Sequence, residues 1–483
     1  MSLKIYNVLS KKREEFVPRE DGKVKMYACG ITVSGDAHIG HAYQAIIFDT
    51  IKKYLEYSGY KVTYVRNYTD VDDKIIVKAR SLGVNPLDYA NKMIDKTDRE
   101  LSLLGVDKPT ICARATECID DMIKFIQKLI DAGHAYSTDS GNVFFRVSSF
   151  PEYGKLSRIV ASDNISSVRK EMEPDKIDDR DFALWKTAGA DEIFWQSPWG
   201  VGRPGWHIEC STMSMKFLGE TIDIHGGGRD LIFPHHENEI AQSESLTGKP
   251  FVLYWLHNGL IKINDQKMSK SLNNGILIED MLRDYNYEVI RMTLLENSYR
   301  SDINIVDGIF EQNEEKVYMI YKLFDTIDKL GNGCIVNYDC DEYKEIDREF
   351  RSAMDNDFNT SVAISLLFGY ISEMNILVRK KDIQRLVDIK YALVNIYKVL
   401  GLLQQDSRKV VEDIKAKYID IYKIDVLEVD RLLKKRQSMR EEKNYLEADK
   451  IRDILLDKGI VVKDIGDEVL WDIDISLINK NRL

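Results

Sequence analysis

Lys23-Val-Lys-Met-Tyr-Ala-Cys-Gly-Ile-Thr-Val33, followed at once by Asp36-Ala-His-Ile-Gly-His41, sets the architecture of the N-terminal half. The first segment alternates in character and reaches Cys29-Gly30, a strand signal with a turn. Ala45, Ile46, Phe48, Ile51 and Leu55 then space as one face of a helix, and Tyr60-Lys-Val-Thr-Tyr-Val-Arg66 returns as a second strand. Strand, turn, helix and strand within roughly 45 residues form a βαβ unit, and hence part of a parallel sheet.

Working outward, the pattern breaks between about Thr116 and Gln196 into one helix, Ile119 to Ala132, and short strands such as Asn142-Val-Phe-Phe-Arg-Val147. Parallel-strand signals resume at Thr221 to His225 and Leu253 to Leu260, so the α/β part is expected to be split by an insertion. After about Asp307 helical periodicity takes over, from Phe310 to Leu403 and from Val429 to Asp457, with polar turns at Gly331-Asn-Gly333 and Gln404 to Ser407. The expected fold is α/β: a Rossmann-like parallel-sheet domain over 1–306, split at about 116–200 by an inserted α/β subdomain. An all-α helical bundle follows over 307–403, and then a helical C-terminal region with a short tail over 404–483.

Composition narrows the function. The net charge of -11, from 79 acidic against 68 basic residues, argues against binding a polyanion over the whole surface and requires any nucleic-acid site to be a local patch. Six cysteines without a CxxC pair are too few for a disulfide framework and point to a reducing compartment. The start, Met1-Ser-Leu-Lys-Ile-Tyr, lacks the pattern of a signal peptide. No apolar run approaches the roughly 20 residues of a membrane span, Ala392 to Leu403 being interrupted by Lys398. The expectation is a cytoplasmic protein and, with no assembly motif evident, a monomer.

Seven of the eight histidines lie in two windows of the α/β part. His38-Ile39-Gly40-His41 sits where strand hands over to helix. There a helix N-terminus favours phosphate, Gly40 admits a ligand to the backbone, and two imidazoles can donate as charge builds up. Two capping or core histidines would read the same. Lys267-Met268-Ser269-Lys270-Ser271 places two lysines three apart before an Asn/Gly loop, which suits a pyrophosphate leaving group or simply a solvated basic turn. Cys29, Cys210 and His235-His236-Glu-Asn-Glu239 have metal-ligand character: His235 and Glu239 share a helical face, two thiolates, an imidazole and a carboxylate suit tetrahedral zinc, and His236 rivals His235. His225-Gly-Gly-Gly-Arg-Asp230 reads as a Gly-rich turn after a strand, open to a base or ribose, with Asp230 able to accept from a ribose hydroxyl. No GxxxxGK[ST] occurs, so a P-loop is excluded.

Together and in this order, these motifs resemble class I aminoacyl-tRNA synthetases, and in detail the cysteinyl-tRNA synthetase family. The matching residues are Met26-Tyr-Ala-Cys-Gly30, Tyr64-Val-Arg-Asn-Tyr-Thr-Asp-Val-Asp-Asp73, Asp181-Phe-Ala-Leu-Trp-Lys186, Pro204-Gly-Trp-His-Ile-Glu-Cys210, Asp223-Ile-His-Gly-Gly-Gly-Arg-Asp230 and Phe233-Pro-His-His-Glu-Asn-Glu239. Asp355-Asn-Asp-Phe-Asn359 and Glu447-Ala-Asp-Lys-Ile-Arg-Asp453 extend the likeness over essentially the whole chain. The resemblance implies ligation of L-cysteine to tRNA(Cys) through a cysteinyl-adenylate, with ATP, Mg2+ and one Zn2+ per chain. It implies zinc ligands Cys29, Cys210, His235 and Glu239, which would read the thiol of the substrate so that serine gains little and no editing domain is needed. His38, His41, Lys267 and Lys270 would serve the phosphates; Gly40, Gly227, Asp230, Met268 and Ser269 would line the ATP site; Thr69, Trp206 and His225 would surround the cysteine.

Ser34, Tyr43 and Asn273 depart from the family's usual residues. The helical end resembles an anticodon-binding region, where Arg431, Lys434, Lys435, Arg436 and Arg440, with Lys443, supply the local basic patch that an acidic chain needs, or else a solvated helix face. A ligase joining the adenylate to an amino sugar would lack this C-terminal part, and a metallohydrolase would leave both phosphate motifs unexplained.

Overall fold

The computed structural model describes residues 2–159, 175–189, 192–268, 274–465 and 468–475. The chain divides into two units: Met1–Val306 with Arg348–Ser365 and Val399–Gly401, and Asp307–Asp347 with Leu366–Lys398 and Leu402–Leu483. The segment 307–403, expected as one bundle, is thus shared between the two.

A ribbon of β1 (Lys4–Asn7) and β2 (Lys12–Glu15) opens the first unit. The βαβ unit follows as β3 (Lys23–Thr32), α1 (Ile39–Tyr57) and β4 (Lys61–Thr69), paired in parallel. β4 is almost continuously buried and β3 is buried without a break from Met26 to Cys29, as parallel strands covered on both faces are. Next come α2 (Asp73–Leu82), α3 (Pro86–Leu103) and β5 (Ile111–Arg114), which lengthens the sheet beside β4. Asp72 caps α2 and Asn85 caps α3, each side chain accepting from backbone N–H groups.

The insertion is built from α4 (Ile119–Asp131) and an antiparallel sheet, β6 (Ala135–Ser137), β7 (Val143–Phe145), β8 (Phe182–Thr187) and β9 (Gly202–Pro204). The parallel sheet then resumes through α5 (Trp206–Leu218), β10 (Ile222–Gly228), α6 (Glu237–Thr247) and β11 (Val252–Asn258). Its order is β11-β10-β3-β4-β5, all pairs parallel. The strand order reverses between β3 and β10, and in open α/β sheets ligands bind beyond the carboxyl ends of the strands at such a switch.

Here the structure corrects one local reading. Gly226, Gly227 and Gly228 are the last residues of β10 rather than a turn. The reason is steric: a Cβ at Gly226 would lie 2.3 Å from the Leu256 carbonyl oxygen and 2.4 Å from the Phe48 ring, so glycine lets β10 sit tight between β11 and α1. Gly30 is tighter still, its Cβ falling 1.6 Å from the Asn67 oxygen.

A small sheet of β12 (Ile261–Ile263), β13 (Gln266–Lys267) and, after α7 (Ile278–Asp284) and α8 (Tyr287–Leu295), β14 (Ile303–Ile305) follows the parallel sheet. The helical part comprises α9 (Ile309–Leu330), α10 (Asp341–Met354), α11 (Thr360–Lys380), α12 (Ile383–Tyr397) and α13 (Ser407–Ile421). By length and composition α11 is apolar enough to cross a membrane, whereas the sequence pointed to Ala392 to Leu403 as the most apolar run. Ala363, Ile364, Leu367, Ile371, Met374 and Leu377 are all buried and recur on one face of this helix, the stripe of a core-facing helix.

The C-terminal end is α14 (Val426–Glu441) and α15 (Tyr445–Asp457), followed by an antiparallel hairpin of β15 (Ile460–Ile465) and β16 (Glu468–Ile473). The hairpin replaces the expected tail. Its core joins Ile460 to Val429, Leu433, Ile451 and Leu455, which explains why so short a ribbon is held.

Candidate active site and metal centre

The strand β3 carries Cys29 to the switch point, and α1 begins directly beyond it with His38 as its N-cap. His41 accepts through Nδ1 from the His38 backbone N–H at 3.2 Å, and the two rings stack with centroids 3.7 Å apart. The capping role and the ligand-facing role therefore coincide. Both imidazoles line a cavity of about 290 Å³ together with Gly40, Gln44, Asp230 and Met268. At position 40 glycine leaves the site open, since a Cβ there would press on the His38 ring at 3.2 Å and on Met268 at 3.3 Å. Gly228 lines this cavity, whereas a side chain on Gly227 would meet Leu231 and His236. Tyr43 also lines the cavity, its hydroxyl donating to the Tyr299 carbonyl at 2.9 Å. Lys267 lies in β13, and Ser269, Lys270 and Asn273 fall outside the described residues.

Beside this cavity Cys29, Cys210, His235 and Glu239 present one donor atom each, all within 4.8 Å of one another. They come from β3, α5, the segment before α6, and α6 itself. His235 Nε2 is 3.0 Å from Glu239 Oε1, as their spacing of one helical turn requires, and the Cys29 thiol is 3.3 Å from the same oxygen. All four are at most 3% exposed. Among the described residues, the ion-pair partners of Glu239 are imidazoles alone. A carboxylate, two thiols and an imidazole buried together without Lys or Arg form a donor set that fits a thiophilic divalent metal.

Electrostatics within the cluster are divided. Burial pushes the Cys29 thiol well above its ordinary value, with Cys210 adding to the effect. Burial also opposes ionisation of Cys210, but the hydrogen bond from Cys29 and the neighbouring His235 bring it down to about 7. Burial would lower His235, yet the Glu239 carboxylate and Cys210 raise it to about 10. Burial takes His225 down to about 4 and His257 to about 3, so these imidazoles are neutral at physiological pH.

Of the residues expected around an amino-acid substrate, Trp206 is 39% exposed and stacks on His235 with centroids 4.2 Å apart, roofing the cluster. His225 lies below, 3.3 Å from Glu239 Oε2 and stacked on Tyr27. Thr69 is buried and donates to Glu209 Oε2 at 2.8 Å.

Several site residues escaped the sequence reading. Gln44 lines the cavity and donates to the Cys29 carbonyl, joining the two halves of the site. It stands one turn beyond His41, which was the available signal. His207 Nδ1 lies 2.9 Å from His235 Nδ1, and Asn67 accepts from the Gly30 N–H at 2.8 Å. His236, the rival ligand, is 3.3 Å from the Cys29 sulfur and belongs to a second donor set.

In the C-terminal region, Arg431, Lys434 and Lys435 on α14 are exposed. Arg436 is not available as a surface cation: it is 6% exposed and grips Asp464 of β15 bidentately at 2.7 and 2.9 Å, and Arg440 pairs with the same carboxylate. The hairpin, invisible in the helical pattern, supplies the carboxylate that both arginines pair with, Arg436 buried and Arg440 still exposed.

Three family models match the chain: tRNA synthetases class I (C) catalytic domain over residues 15–315, DALR domain over 349–404, and Cysteinyl-tRNA ligase anticodon binding domain over 427–471. The cysteine--tRNA ligase of Thermodesulfovibrio yellowstonii is 44% identical across 98% of this chain and 100% of its own length. That of Geobacter sulfurreducens is 43% identical with the same coverage. Among solved structures, Mycobacterium tuberculosis methionyl-tRNA synthetase superposes with a TM-score of 0.58 at 16% identity, covering 80% of this chain and 93% of that one. A LeuRS from Agrobacterium radiobacter K84 also gives 0.58, at 12% identity, covering 82% and 88%, a likeness of fold. The switch-point cavity behind His38 and His41, the adjoining thiol-rich donor set and these matches lead to one conclusion: the chain belongs to the cysteine--tRNA ligase family of class I aminoacyl-tRNA synthetases.

Proposed function

We propose that this protein ligates L-cysteine to tRNA(Cys) in the cytoplasm, using ATP with Mg2+ and one Zn2+ per chain. The substrate carboxylate attacks the α-phosphate of ATP, pyrophosphate leaves, and the terminal ribose hydroxyl of tRNA then takes the cysteinyl group from AMP. One observation carries the reading: a buried four-donor set with two thiols adjoins the cavity of His38 and His41, Gln44 touching both.

In this reading, zinc held by Cys29, Cys210, His235 and Glu239 would supply a Lewis acid that binds the substrate sulfur as thiolate, a preference that an alcohol of the same shape cannot match. Shape alone separates such near-isosteres by only ~10 to 200-fold. Trp206 packs over the cluster, where it would close on the bound amino acid. The N-terminus of α1 and the two imidazoles receive the phosphates, and Asp230 accepts from the ribose. Lys267 and Lys270 stabilise charge that develops on the departing pyrophosphate. Residues 1–306, interrupted at about 116–200, act as the catalytic domain, 307–403 as the stem and 404–483 as the anticodon-reading region, with Arg431, Lys434 and Lys435 as its phosphate contacts.

The test is cysteine-dependent ATP–pyrophosphate exchange followed by charging of tRNA(Cys) in one preparation. Lys270→Ala should slow exchange far more than it weakens cysteine binding. Exchange without charging, or exchange that ignores cysteine, sinks the reading.

A further inference from the structure

Two four-donor sets are superposed in the metal centre. Cys29 and Glu239 belong to both; Cys210 and His235 complete the first, His225 and His236 the second. In the second set Cys29 Sγ lies 3.5 Å from His225 Nε2 and 3.3 Å from His236 Nε2. Glu239 Oε2 is 3.3 Å from His225 Nε2, and Oε1 is 3.3 Å from Cys29 Sγ and 3.9 Å from His236 Nε2. A tetrahedral ion with bonds of about 2.0 to 2.3 Å sets its ligand atoms about 3.3 to 3.8 Å apart, and the Cys29 distances to both imidazoles and to the nearer Glu239 oxygen fall in that range, with all four donors within 4.8 Å.

The second set also has an outer support. His236 Nδ1 lies 2.7 Å from His257 Nε2, which fixes the ring and leaves Nε2 directed at Cys29 and Glu239, the arrangement that orients ligating imidazoles. Its position is the deeper one. His225 and His236 pack on Trp255, with centroids 4.6 and 5.1 Å away, and Trp255 is 1% exposed. His235 of the first set lies instead under the half-open Trp206.

We propose that the metal ion has a second resting position, held by Cys29, His225, His236 and Glu239, into which it passes when Cys210 or His235 releases it. The shift exchanges one thiolate and one imidazole for two imidazoles while Cys29 and Glu239 stay bound. An ion parked there stays with the protein but is drawn away from the space beneath Trp206, where a thiol substrate would meet it. The inference rests on the reading above only for the presence of an ion in this cluster.

The experiment uses full-length protein and Co2+ as the probe, read by metal content and visible absorption. Wild type should bind one Co2+ with tetrahedral bands and thiolate charge transfer. Cys210→Ala/His235→Ala should still bind one Co2+ with tetrahedral bands and about half the charge-transfer intensity, one thiolate replacing two. Adding His236→Ala should abolish binding. A folded double variant without Co2+, or a triple variant that binds as well as the double, overturns the second position. If the double variant does not fold, Cys210→Ala alone, with and without His236→Ala, decides by the same criteria. No Co2+ in wild type would instead remove the metal reading itself.

Discussion

The Trp206 ring lies on the His235 imidazole, 4.2 Å between centroids and 24° from parallel. The donor set is therefore partly covered from outside by an aromatic face that packs on one of its imidazoles and offers no donor atom of its own. Trp206→Ala should leave metal content unchanged and raise the KM for cysteine in pyrophosphate exchange by roughly tenfold, the worth of one such aromatic contact at about 1.4 kcal/mol. Loss of the metal in this variant would show that the ring holds the ligand rather than the substrate.

Lys96 on α3 reaches Asp36 at 2.7 Å and Glu279 at 2.6 Å, with Glu100 at 3.7 Å. Asp36 precedes the His38 turn and Glu279 opens α7, and between them the Ile39 N–H donates to Ile276 and the Ile278 N–H to Ala37. Lys96→Met should lower the exchange rate about fivefold with the KM for cysteine unchanged, because one cation ties together the two segments that set the His38 turn. The group is about one-third exposed, so the wild-type advantage should shrink as salt rises. Equal rates for wild type and variant at low salt would refute the role.

Arg436 and Lys434, two residues apart on α14, should fail differently. Arg436→Ala removes the bidentate grip on Asp464 and should destabilise the C-terminal hairpin by about 1 to 3 kcal/mol, visible as earlier thermal unfolding. Lys434→Ala should leave unfolding unchanged and weaken tRNA binding, reducing the salt slope by about one phosphate contact. The reverse assignment of effects would overturn the division between structural and binding cations.

Removal of the metal by chelation should expose the split between the two thiols. Cys210, brought down to about 7, is half thiolate near neutral pH, whereas Cys29, pushed above its ordinary 9.0, remains a thiol. Alkylation mapped by mass spectrometry should therefore modify Cys210 through a rise near pH 7, with Cys29 following only in alkali, and restored metal should protect both. A folded value below the ordinary one means that the Cys210 thiolate stabilises the metal-free fold fully above pH 9.0 and that this contribution is lost as pH falls through about 7. Equal alkylation of the two cysteines at pH 7 would contradict the split.

The sequence by itself determined the βαβ unit, the resumed strands near Thr221 and Leu253, and the helical last third, because periodicity and burial on both faces are written into local residue order. It also determined which motifs stand at the carboxyl ends of strands. Tertiary structure alone decided what those residues face. Gly226 continues the strand because the close approach of Phe48 and Leu256 leaves room for no side chain there, Arg436 is buried in an ion pair because a hairpin supplies Asp464, and Gln44 joined the site because α1 passes Cys29. His235 and His236 are neighbours in sequence, and only the packing of His257 and Trp255 on one side and Trp206 on the other separates them into two donor sets. The physical reason is that contacts between residues tens to hundreds apart leave no periodic trace in the chain, although they decide burial, charge and the geometry of the donor cluster.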